Sequence, residues 1–144
     1  MAPCDPPALF AQVDDLSRYP AWFGAVRRAE PDAPLPGDGG PAWRVDLRGR
    51  LGPLARVKRL RMVRTAHDSP AWVRFERRED DGRSHSPWVL TAEVQAVPGG
   101  SRLGVRLHYG GGLFGPVLER LLADEVERAK PRLLALVTEA SAGS

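Results

Sequence analysis

From Arg44 to Tyr109 the chain keeps a period of two and breaks it only at tight turns, a pattern that excludes most folds. Val45, Leu47, Gly49 and Leu51 alternate with Arg44, Asp46, Arg48 and Arg50, as in a half-buried strand. Gly52-Pro53 turns the chain into a second strand over about 55–65. Asp68-Ser69-Pro70 turns it into a third over 72–78, and Asp80-Asp81-Gly82 into a long fourth near 87–97. In the fourth, Trp88, Leu90, Ala92, Val94 and Ala96 share one face, opposite Thr91, Glu93 and Gln95. Pro98-Gly99-Gly100 leads to a last strand with Leu103, Val105, Leu107 and Tyr109 inward. Such turns leave no room for crossover helices, so the strands form an antiparallel meander. A short strand near 25–30 brings the number to six.

Helical signals flank this block. Asp5 precedes Pro6 and Pro7 at the start of a first helix carrying Leu9 and Val13, with Leu16 on the same face. Ser17 to Ala25 reads as a second short helix with Trp22 and Phe23, and Pro31 to Pro41 as a loop. One long helix, from Gly115 or Pro116 to Glu139, closes the chain. Its stripe includes Val117, Leu118, Leu121, Leu122, Val126, Ala129, Leu133, Leu136 and Val137, and Pro131 should kink it. The sum is an α+β arrangement in a single domain over 1–144, with the long helix across the concave face of the sheet.

Several chemistries are excluded. The lone cysteine, Cys4, allows no internal disulfide, and no metal-ligand spacing surrounds His67, His85 or His108, so no metal is expected. Gly110 to Gly115 satisfies G-x-G-x-x-G, but no parallel return strand follows, so neither a dinucleotide nor any other cofactor is implied. The acid groups Asp14-Asp15, Glu79-Asp80-Asp81 and Asp124-Glu125 read as solvated surface. No apolar run is long enough for a membrane span and no leader opens the sequence, which points to a cytoplasmic protein. Between Arg44 and Arg64 lie eight basic residues and one acid, against a net charge of +3 for the chain. A solvated strand face is the preferred reading of that stretch. Nucleic acid remains open as a partner.

The segment Asp15-Leu16-Ser17-Arg18-Tyr19-Pro20-Ala21-Trp22 resembles the opening signature of the START-related polyketide cyclase/dehydrase and lipid-transport superfamily, SRPBCC. Asp5 to Phe10 resembles that family's first helix start, and Gly99 to Leu103 through Gly115-Pro116 its final strand and its turn into the gripping helix. The resemblance implies a helix-grip fold, a curved sheet wrapped on a long C-terminal helix. It also implies a family strand before the first helix, where only Met1 to Cys4 stand. Either the chain begins further upstream or the sheet lacks that strand and is open or closed by a second copy, a homodimer.

The interior then decides function. Trp43, Trp72 and Trp88 lie on or near strands, and most such aromatics must simply pack. With the resemblance, a cavity between helix and sheet is expected to bind a hydrophobic or amphipathic small molecule, such as a lipid, fatty acid, isoprenoid or polyketide-like compound. Its expected lining is Trp22, Phe23, Trp43, Trp88, Leu90, Leu107, Tyr109, Leu113, Phe114, Leu118 and Leu122. The alternative is a cofactor-free polyketide aromatase/cyclase, with Tyr109, Glu76, Arg59 and Arg61 as the catalytic candidates. A second alternative is an RNA- or protein-interaction module using the basic face. The phase of the 55–65 strand stays open. Leu60 and Met62 inward, with Arg59 and Arg61 outward and inert, is preferred over the reverse, which would need an anion to receive both arginines.

Overall fold

The computed structural model describes residues 5–24, 26–51, 54–109 and 127–137, with the backbone alone at 48–51, 54–58 and 109. Helix α1 (Pro6–Val13) begins after Asp5, whose carbonyl accepts from the amides of Ala8 and Leu9 while its side chain makes no cap. Leu9, Phe10 and Val13 are its buried positions. The second expected helix is a 3₁₀ turn, Leu16–Ala21, placed earlier than the sequence suggests. Asp15 caps it by accepting from the Ser17 amide at 2.9 Å. Trp22 and Phe23 follow the turn rather than lying within it.

Six strands follow: β1 (Val26–Asp32), β2 (Ala42–Leu51), β3 (Leu54–Asp68), β4 (Trp72–Arg77), β5 (Trp88–Val97) and β6 (Gly100–Tyr109). They pair antiparallel in chain order as one curled sheet, the expected meander. Between β5 and β6 the turn is two residues long, with Pro98 then Gly99 at φ +84°, where glycine carries no Cβ penalty. Irregular register between Val26 and Arg28 and between Arg64 and Ala66 marks bulges, which add local bend and twist. Helix α2 (residues 127–137) contains Pro131 in an unbroken helical run. Ala129, Leu133 and Val137, one face at i, i+4 and i+8, join a single buried cluster with Leu9, Phe10 and the concave face of the sheet. This is the helix-grip fold. The expected start of the long helix, Gly115 or Pro116, and the segment Met1 to Cys4 lie outside the described residues.

Strand alternation divides the sheet. Trp43 and Val45 of β2, Leu60 and Met62 of β3, Val73 and Phe75 of β4, and Trp88, Leu90, Ala92 and Val94 of β5 are buried on the concave side. Trp72 pairs with Glu93 on the opposite face and is only half-buried, so it is no part of the interior. Ala96 is exposed, although its parity matches that of Val94.

The outer face carries the main departure from the sequence reading. Leu60 and Met62 do point inward, yet Arg61 is neither exposed nor inert: it is 1% exposed. The 33–41 loop folds back over β3 and brings acids to it. Arg61 Nε donates to Asp32 at 2.9 Å, and Nη1 and Nη2 grip Asp38 at 3.2 and 2.8 Å. The Arg78 and Ala33 carbonyls accept at 3.2 and 3.0 Å. All five N–H donors of the guanidinium are thereby used, which is what makes a buried arginine tolerable. Its hydrogen bonds lower the pKa of both Asp32 and Asp38. The same loop presses on the sheet at Gly40, where a Cβ would clash with the Arg64 carbonyl oxygen.

Two expectations follow. Carboxylates with lowered folded-state pKa values stabilise the fold fully above their unfolded value of about 4 and lose that contribution as pH falls through the lowered value. Replacing Arg61 by methionine should therefore cost about 3 kcal/mol at pH 7, with the deficit shrinking as pH falls toward about 2, read from urea midpoints across pH. Gly40→Ala should cost about 1–3 kcal/mol by the steric route, whereas Gly104→Ala, with open space around its Cβ position, should stay within about 1 kcal/mol on thermal unfolding.

Candidate functional site

On the concave face lies a small space of about 20 Å³. Its lining is wholly apolar: Leu16, Phe23, Val26, Val45, Leu47, Leu60, Met62, Trp88, Leu90 and Leu107. Four of the residues expected to line a cavity, Phe23, Trp88, Leu90 and Leu107, meet there. Trp22 and Trp43 are buried beside it but are used for packing. Trp22 stacks obliquely on Tyr19 at 4.7 Å and donates its indole N–H to the Gln12 carbonyl at 3.3 Å, while Trp43 stands edge-on to Phe75 at 5.6 Å. The backbone of Tyr109 pairs with that of Trp88. Leu113, Phe114, Leu118 and Leu122, and the glycine-rich stretch 110–115, lie outside the described residues.

The void has room for about one water molecule, far below the roughly 300–1,000 Å³ of a ligand pocket. Its volume depends on how closely Phe23, Met62 and Trp88 approach from separate elements, which no local pattern in the sequence sets. A second space, about 520 Å³ and open to solvent, runs where α1, the start of β6 and α2 meet. Leu9, Leu103, Leu133, Leu134 and Pro131 line it with Arg102, Glu127 and Lys130. Lys130 is held by Glu127 at 2.9 Å.

Beside the void, Tyr19 is fully buried and donates its hydroxyl to the Val13 carbonyl at 2.7 Å. Burial holds its pKa well above the ordinary phenol value, so it is a packing residue and not a proton donor poised for neutral pH. Burial likewise raises Asp14, against the opposing pull of Arg64.

The catalytic candidates are not brought together. Glu76 lies on the outer face of β4 beside Arg74, at 3.5 Å, and Arg59 is 82% exposed and paired with Asp46 at 3.3 Å. Arg61 is committed to Asp32 and Asp38. All three stand on the face opposite the void. The basic stretch is also partly neutralised from within, since Arg44 pairs with Asp32 and Asp80 at 3.2 and 3.1 Å. Glu79 is not solvated surface: it accepts from the Arg61 amide at 2.9 Å and pairs with Arg77 at 3.1 Å. His85 contacts Asp81 at 2.8 Å, and His67 is exposed. Among the described residues no group of three or more His, Cys, Asp or Glu side chains could hold a metal, and no helix is long and apolar enough to cross a membrane.

The sequence matches the family described as polyketide cyclase/dehydrase and lipid transport over residues 1–138. The chain belongs to that family. Its fold is similar to a START superfamily protein from Mycobacterium smegmatis (TM-score 0.70, 14% identity, 96% of this chain and 93% of that one). It is also similar to protein CV1439 from Chromobacterium violaceum (TM-score 0.64, 14% identity, 94% and 91%) and DR_A0006 from Deinococcus radiodurans (0.60, 17%, 93% and 92%). No curated protein matches the chain. Family and fold together fit a ligand-binding SRPBCC protein.

The void makes a direct expectation. Leu90→Ala should enlarge it and destabilise the fold by about 2–5 kcal/mol. The variant should then take up benzene or xenon, detected as a rise in melting temperature that the unmodified chain does not show.

Proposed function

We propose that this protein binds a hydrophobic or amphipathic small molecule on the concave face of its sheet, beneath the C-terminal helix. The observation that carries the reading is the void's lining, drawn from β1, β2, β3, β5, β6 and the 3₁₀ region without one polar side chain. Membership of a family whose description includes lipid transport supports it. A lipid, fatty acid, isoprenoid or polyketide-like body would gain on the order of 25 cal/mol per Å² of apolar surface removed from water, before ordering costs.

Native mass spectrometry of the full chain purified from its own host should show a co-purified lipid-like mass. Leu107→Trp, which fills the floor, should reduce uptake of that compound by about tenfold or more, or about 1.4 kcal/mol, while circular dichroism stays unchanged. Undiminished uptake by a folded Leu107→Trp variant would place the ligand elsewhere.

A further inference from the structure

A space of about 380 Å³ lies on the outer face of the sheet, and its cations are already neutralised. Arg28 pairs with Glu30 at 2.9 Å, Arg59 with Asp46 at 3.3 Å, and Arg44 with both Asp32 and Asp80. The groove of about 520 Å³ between α1, β6 and α2 differs from it in kind. Its volume falls within the roughly 300–1,000 Å³ of small-molecule sites. It also combines an apolar floor with a surplus of positive charge.

Leu9 of α1 and Leu133 of α2, both buried, form the floor with half-buried Leu103 of β6. Leu134 stands beside them and is 38% exposed, a large apolar side chain left facing water. An alkyl chain laid over these four would remove apolar surface from solvent. Arg102, Lys130 and Glu127 complete the polar lining. Glu127 holds Lys130 at 2.9 Å, so one acid serves two cations. The Arg102 guanidinium has no acid or other acceptor among the described residues. Arg128 and Arg132, exposed on α2, add to the positive potential. Arg102 and Leu103 are adjacent on the last strand of the described sheet and so point to opposite faces. The groove meets both because it wraps the sheet edge, which sets an apolar side against a cationic margin.

We propose that this groove is a second binding site, for an alkyl carboxylate whose chain covers Leu9, Leu103, Leu133 and Leu134 and whose head group meets Arg102. It goes beyond the reading above, because the apolar space on the concave face takes no part in it. Arg102 is the specificity-determining residue. Apolar burial supplies affinity for any chain of suitable length, and the guanidinium fork favours a carboxylate over a neutral head group. Glu127 stays on Lys130, so the ligand displaces no existing ion pair.

The test compares decanoate with 1-decanol, which share chain length and differ in charge, binding the full chain by calorimetry at about pH 8, where the carboxylate is ionised. The intact protein should prefer decanoate by about fivefold, the worth of one exposed charged contact. Salt at about 0.5 M should remove most of that preference. Arg102→Gln should bring the two probes to equal affinity. Leu134→Gln should weaken both by about fivefold through lost apolar contact. Both positions are exposed, so circular dichroism of the two variants should match that of the intact chain. Decanoate binding that neither substitution changes belongs elsewhere in the protein and overturns the groove. Equal binding of both probes by the intact protein, a preference that survives in Arg102→Gln, or binding of neither probe likewise overturns the proposal, and each leaves the concave-face reading to its own test.

Discussion

A single curled sheet with one apolar face is unstable until that face is covered, and the whole molecule is organised around covering it. Six strands contribute alternate residues to the concave side, but a sheet cannot bury its own face. The covering comes from α1, the 3₁₀ region with Tyr19, Trp22 and Phe23, and the Ala129, Leu133 and Val137 face of α2, all in one cluster with Phe75, Trp88 and Leu90. Elements from both ends of the chain thus meet over the middle. The aromatic contacts among Tyr19, Trp22, Phe23 and Phe75 tie the N-terminal cover to the sheet, and each such contact adds about 0.5–1.5 kcal/mol beyond burial.

The opposite face is held differently. There Arg61 acts as the centre of a small polar core, drawing Asp32 from the end of β1, Asp38 from the 33–41 loop and a carbonyl from Arg78. Val63 and Ala42, paired with each other in adjacent strands and both buried, complete that patch. A proline- and glycine-rich loop gains little from apolar packing. Directional charge-assisted bonds therefore fix it where hydrophobic burial could not. The two faces divide the labour: non-directional burial inside, where a ligand can substitute for side chains, and specific bonds outside, where it cannot.

This division explains what could be read from sequence. The meander, its turns and the inward set Trp88, Leu90, Ala92 and Val94 follow from a period of two, which depends only on neighbours along the chain. The family resemblance carried over the helix-grip arrangement for the same reason, since its motifs are local. Arg61 reads as inert from parity because its side-chain partners lie 17 to 29 positions away, and parity alone cannot tell a solvated outer face from one covered by a loop. Glu79 was read as surface because its acidic run hides that β4 ends two residues earlier and leaves the Arg61 amide to be satisfied. Glu76, Arg59 and Arg61 were grouped as chemistry by residue type, and the register separates all three from the concave face.

The apolar floor of the concave face has an energetic consequence of its own. Among the described residues the apolar floor packs closely around a space of about 20 Å³, as protein interiors do. Opening it costs contacts that an incoming alkyl or polyketide-like body can replace almost without discrimination, since apolar burial is non-directional. Affinity from that source alone would accept any greasy molecule of suitable size. Selectivity has to come from shape or from a directional group at the margin.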